Sequence, residues 1–120
     1  MREIIWTHQL PSTMKDLSIS SNFLGGGIPN SYGNTCSLRS LDMFDNNLSE
    51  EFPIIVWNLA GCSRNSLQET ILRANKIKDT LLDFSIFATL KVLDLSTNEL
   101  SGKIPKDNKL PYKRNIFQSI

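Results

Sequence analysis

The chain has 120 residues, 40% of them hydrophobic and 21% charged, and its 13 Lys and Arg stand against 12 Asp and Glu for a formal charge of +1. That composition suits a single globular domain, and the near-neutral balance argues against nucleic acid as a partner. The start MREIIWTHQL has no apolar core of signal-peptide length, and no run approaches the roughly 20 apolar residues of a membrane segment.

From residue 14 one pattern recurs four times, L-x-x-L-x-L-x-x-N-x-L-x-G-x-I-P. Its copies are Met14–Pro29 (MKDLSISSNFLGGGIP), Leu38–Pro53 (LRSLDMFDNNLSEEFP), Leu67–Leu82 (LQETILRANKIKDTLL) and Leu90–Pro105 (LKVLDLSTNELSGKIP). Their central asparagines, Asn22, Asn46, Asn75 and Asn98, are spaced 24, 29 and 23 residues apart. A period of 20 to 29 residues with this leucine spacing predicts a leucine-rich repeat solenoid, an α/β-type repeat of about four coils. Short parallel strands line its concave face, and irregular or 3-10 helical segments form the convex side. The long second coil carries about five inserted residues, placed around Ala60–Ser66.

The coils are expected at 14–37, 38–66, 67–89 and 90–112. Residues 1–13 read as the tail of a preceding coil, because one repeat back from Ile28 lands on Ile4. Residues 113–120 read as a degenerate end, although Phe117 fits the next core position. Neither end carries a polar cap, which solenoids need to cover their open coils, so the chain is expected to be part of a longer array.

Alternation along each strand turns the leucine positions inward. The expected core is Met14, Leu17, Ile19, Leu24 and Ile28, then Leu38, Leu41, Met43, Leu48 and Phe52, then Leu67, Leu72, Ile77 and Leu81, and finally Leu90, Leu93, Leu95, Leu100 and Ile104. Thr70 alone breaks the apolar rule, and its buried hydroxyl should bond a neighbouring carbonyl. The four asparagines stand where the chain leaves the sheet. An amide offers two donors and an acceptor, so they form a structural ladder that satisfies turn backbone.

Outward positions form columns about 4.8 Å apart. They read Ser18, Asp42, Ile71 and Asp94, then Ser20, Phe44, Arg73 and Ser96, then Ser21, Asp45, Ala74 and Thr97. Asp42, Phe44, Asp45, Arg73 and Asp94 make up the candidate binding face. Phe44 and Arg73 are its anchors, because aromatic and guanidinium groups dominate interface hot spots.

No catalytic or metal constellation stands out. His8 is the sole histidine, Gly25–Gly27 lacks the lysine of a phosphate loop, and Glu50 and Glu51 read as a solvated face. The basic cluster Lys103, Lys106, Lys109, Lys113 and Arg114 reads as a solvated terminal segment. Cys36 and Cys62 precede consecutive strands, and the inserted residues leave open whether they bond. Asn47-Leu48-Ser49 is the only N-glycosylation sequon of the Asn-x-Ser/Thr type, expected to be exposed.

The stretches GGGIPNSYGNTCSLRSLDM (Gly25–Met43), LSEEFPIIVWNLAGCSRNSLQE (Leu48–Glu69), DFSIFATLKVLDLS (Asp83–Ser96) and GKIPKDNKLPY (Gly102–Tyr112) carry a more specific likeness. With a period near 24 and G-x-I-P, the chain resembles plant-type leucine-rich repeats, and in particular receptor-like proteins related to the fungal ethylene-inducing xylanase receptors. Thr70, Asp79 and Leu82 depart from that pattern, replacing leucine, glycine and proline. The resemblance implies a non-enzymatic interaction module without cofactors. It would be part of a plasma-membrane ectodomain on the extracellular face, where a protein or peptide ligand is recognised and a co-receptor kinase supplies defence signalling. Alternatives are a piece of a receptor kinase ectodomain, a secreted inhibitor similar to those that block fungal polygalacturonases, and a truncated product without activity of its own.

Overall fold

The computed structural model describes residues 9–80 and 84–101, together with the backbone of 115–118. In chain order the elements are β1 (Asp16–Ser18), β2 (Gly25–Gly26), a 3-10 turn (Asn30–Asn34), β3 (Ser40–Asp42) and β4 (Asn47–Leu48). Helix α1 (Phe52–Leu59) and a second 3-10 turn (Cys62–Asn65) follow. The remainder is β5 (Glu69–Ile71), β6 (Lys78–Thr80), β7 (Val92–Leu95), β8 (Glu99–Ser101) and β9 (Asn115–Gln118). Parallel neighbours need a crossover between them, and among the described residues the convex segments of the coils are those crossovers.

The main sheet runs β1-β3-β5-β7-β9, every pair parallel, with Leu17, Leu41, Thr70, Leu93 and Ile116 in one register line. Residues 115–118, expected to be degenerate, thus pair as a fifth strand. Phe117 stands opposite Asp94 rather than in line with the leucines, because the last step is 23 residues and not 24. Two further parallel pairs, β2 with β4 and β6 with β8, lie beyond the asparagine turns, where the sequence predicted no strands.

The inserted residues are spread more widely than Ala60–Ser66. Where the first coil crosses back on a five-residue 3-10 turn, the long coil forms a true α-helix and then a second turn. Phe52, Ile55, Val56 and Leu59 are buried, the i, i+3, i+4, i+7 stripe of an amphipathic helix. Proline in its first turn presets the backbone angle there.

Inward leucine positions from Leu24 to Leu100 are buried within one cluster, while Met14, Leu17 and Ile19 are half-buried against its first coil. Leu81 and Ile104 lie outside the described residues. The convex side contributes Tyr32, Phe84 and Phe87, none of which the strand periodicity reveals. Tyr32 is fully enclosed, and burial pushes its phenol up to about 12. Thr70 is buried on the wall of an apolar cavity of about 20 Å³ lined also by Phe52, Leu72, Phe84 and Leu93. The carbonyl expected to accept its hydroxyl is not found among the described residues.

The asparagines act one coil upstream. Asn46 Oδ1 accepts the backbone N–H of Asn22 at 3.0 Å and of Leu24 at 3.2 Å. Its Nδ2 donates to the carbonyls of Ile19 at 2.8 Å and Met43 at 3.0 Å. Asn75 repeats the arrangement with Leu48 N and the Met43 and Leu72 carbonyls, each at 3.0 Å. Asn98 does so with Ile77 N at 2.9 Å, Leu72 O at 2.9 Å and Leu95 O at 3.1 Å. Asn22 donates to its own coil, to Ser20 O at 2.6 Å.

Cys36 and Cys62 are joined as a disulfide, with Cα atoms 5.0 Å apart. The bond ties the convex segments of two consecutive coils, from just after the first 3-10 turn to the start of the second, where glycines bring the backbones together. A Cβ on Gly61 would run into the Gly33 carbonyl, and one on Gly33 into the Asn58 carbonyl.

Three outcomes follow for thermal unfolding of the full chain. Asn46→Leu leaves the Asn22 and Leu24 N–H groups and the Ile19 carbonyl without the amide that bonds them and lowers stability by about 1–3 kcal/mol, beyond any exposed-strand substitution. The paired change Cys36→Ser and Cys62→Ser opens a loop of 26-residue separation and costs about 2–4 kcal/mol. Thr70→Val keeps the shape and removes a buried hydroxyl with no partner seen among the described residues, raising stability by about 1 kcal/mol.

Candidate interaction surface

Short strands present two outward side chains each before the chain turns away, so the concave sheet is a grid of columns. Asp42, Ile71 and Asp94 occupy one register line, with an apolar residue between two half-buried carboxylates. Both carboxylates are engaged locally. Asp42 Oδ1 accepts the Phe44 N–H at 3.0 Å, and Asp94 Oδ1 accepts the Ser96 N–H at 3.1 Å and the Ser96 hydroxyl at 2.6 Å. Each therefore braces the end of its own strand.

In the next column the Arg73 guanidinium lies over the Phe44 ring, 5.5 Å from its centroid. Such a contact at an exposed site is worth about 0.5–1 kcal/mol. It also holds two long side chains in one arrangement, which lowers the entropy lost when a ligand meets them. Phe44 keeps 36% of its surface exposed, so the pair is both ordered and accessible.

The third column differs from the sequence expectation. Ser21, Asp45, Ala74 and Thr97 are not outward strand residues; each has a positive φ, between 54° and 60°, and forms the left-handed corner that precedes a ladder asparagine. For residues other than glycine that conformation costs roughly 1–2 kcal/mol, offset here by the amide bonds that follow the corner. Asp45 accepts the Ser21 hydroxyl at 2.9 Å, one coil away, and so links two corners instead of pointing free into the face.

Asp16 and Arg39 form an exposed ion pair at 3.2 Å on the edge of the sheet, a contact worth little in water. Glu50, read as solvated, is half-buried with its side chain folded over Gly27. Burial pushes its carboxyl up and Glu51 adds to the rise, against the pull of the Ile28 N–H. Asp79, which stands where the repeat has glycine, adopts φ 78° and accepts the Thr80 N–H at 2.7 Å, which holds its carboxyl down ahead of the contribution from Glu51. Asn47 is exposed on β4, outside the concave grid. His8 and the basic cluster from Lys103 to Arg114 lie outside the described residues.

The family described as Leucine Rich Repeat matches residues 37–59 and 89–109. The chain is 33% identical over 90 residues to Receptor-like protein EIX2 of Solanum lycopersicum, covering 74% of this chain and 9% of that protein. It is 35% identical over 103 residues to Receptor-like protein 18 of Arabidopsis thaliana, covering 86% of this chain and 12% of that one. Among solved structures it is similar to the plant peptide hormone receptor RGFR1 in complex with RGF2, with a TM-score of 0.67, 31% identity, and coverage of 81% of this chain and 15% of that chain. The chain thus spans about a tenth of the length of these curated relatives. Its repeat spacing, parallel concave sheet and asparagine ladder make it a stretch of leucine-rich repeat solenoid, similar over most of its own length to plant receptor-like proteins.

Proposed function

We propose that this stretch is a binding module, not a catalytic one, and contributes part of the concave recognition surface of a plant cell-surface receptor on the extracellular face of the plasma membrane. Its partner is a protein or peptide ligand. A co-receptor kinase that carries the defence signal onward fits the likeness to receptor-like proteins. The observation that carries the reading is the Phe44–Arg73 pair, an accessible aromatic and guanidinium held together at the middle of the sheet. The likeness to a receptor of known peptide-hormone class supports a peptide or small protein as the occupant.

An extended peptide crossing the columns would meet Phe44 and Arg73 first, since they are the largest groups of the described grid, and then the corner residues Asp45 and Ser21. Hot-spot residues of these types lose more than about 1 kcal/mol on truncation. The test uses peptides selected from a random library on the wild-type chain. Replacing Phe44 and Arg73 together by alanine should weaken their binding at least tenfold, while Trp57→Ala on the convex helix leaves it unchanged. Full retention in the double variant with loss in Trp57→Ala would place recognition on the convex side.

A further inference from the structure

We propose that Asn47 is an N-glycosylation site and that its glycan covers the exposed Phe23 on the flank of the solenoid. Two adjacent asparagines have opposite fates. Asn46 is 6% exposed and its amide is consumed by the bonds of the ladder. Asn47 is exposed, its side-chain amide enters none of the hydrogen bonds found among the described residues, and it opens the sequon Asn47-Leu48-Ser49, in which Ser49 is also exposed.

The surroundings leave room for a sugar. Asn47 pairs with Gly25 across β2 and β4, and Gly25 and Gly26 present no side chains; nothing lies within 4 Å of where their Cβ atoms would be. The Asn47 N–H donates to the Leu24 carbonyl at 2.7 Å, which puts Phe23 one residue from Asn47's direct partner. Phe23 is 82% exposed, the most exposed large apolar side chain among the described residues, and its left-handed backbone is fixed by the amide bonds to Asn22 and Leu24 on either side. An isolated exposed phenylalanine held rigidly beside an open glycine strip is a surface that a carbohydrate stacks on, since sugar rings present apolar faces to aromatic ones.

The compartment agrees. The Cys36–Cys62 disulfide belongs to an oxidising environment such as the secretory pathway, where the glycosyl donor resides. In the transfer, Asn47 Nδ2 bonds to the anomeric carbon of a lipid-pyrophosphate oligosaccharide. The bond from that carbon to the pyrophosphate oxygen breaks, its electron pair leaves on the pyrophosphate, and one amide proton is released. Asn47 lies past the left-handed corner at Asp45, so the glycan leaves the concave columns open, and the assignment stands independently of what those columns bind.

The test directs the full chain through the secretory pathway of plant cells and measures the intact mass of the secreted, disulfide-bonded product. The expected result is a single N-glycan mapped to Asn47 on the wild-type chain, lost in Ser49→Ala and kept in Ser49→Thr. Enzymatic removal of the glycan should raise the binding of a dye for exposed apolar surface in the wild type and not in Phe23→Ser. A secreted chain with unmodified Asn47 overturns the site, and unchanged dye binding after removal from the wild type overturns the cover.

Discussion

One amide per coil holds the array in register. At each coil the chain leaves the concave sheet through a left-handed corner, where backbone donors and acceptors lose their strand partners inside an apolar stack. Most of them are buried or half-buried, so something must bond them or the corner opens. Asn46, Asn75 and Asn98 do this with both ends of the amide, accepting from the coil before and donating to carbonyls of both coils. No other side chain of that length offers an acceptor and two donors. The leucines supply the bulk of the driving force, but they have no direction; the amides convert stacked coils into a defined stack.

That division of labour decides which surfaces are free to vary. Inward strand positions and ladder sites are committed to the core, and the corner residues are committed to an unusual backbone angle. Outward strand positions bear only local bonds, such as those of Asp42 and Asp94 to the N–H groups two residues on. On the proposed reading, recognition falls to Phe44 and Arg73, set side by side on neighbouring coils of the sheet. The convex side varies in another way: a 3-10 turn in one coil and an α-helix in the next, joined by a disulfide where two glycines allow the backbones to touch.

Legibility followed the repeat. The leucine set and the position of the ladder asparagines could be read because each copy restates them at the same spacing, so the fold was accessible from the repeat, while the likeness to receptor-like proteins came from longer stretches such as Gly25–Met43 and Leu48–Glu69. The convex helix was not, since Phe52 and Pro53 also end the G-x-I-P motif and the stripe from Phe52 to Leu59 is a single short pattern without a second copy. Tyr32 and Phe84 were missed for the same reason. The small sheets escaped because backbone pairing at Gly25–Gly26 has no side-chain signature. The corners escaped because Ser21, Asp45, Ala74 and Thr97 share no residue type, and the left-handed angle is imposed by the stack rather than by local preference. The fifth strand was displaced by one residue, since a 24-residue count was carried into a part of the chain where the step is 23.

Residue-resolved hydrogen exchange addresses the ladder most directly, because its acceptors are side chains and its donors are individual amides outside the strands of the main sheet. The N–H groups of Leu24, Leu48 and Ile77, bonded to Asn46, Asn75 and Asn98, should exchange as slowly as those of the central strands, and should open with them as one unit. Exchange of these three amides at the rate of exposed loops, while the strands stay protected, would contradict the account and leave the leucine core alone to order the coils.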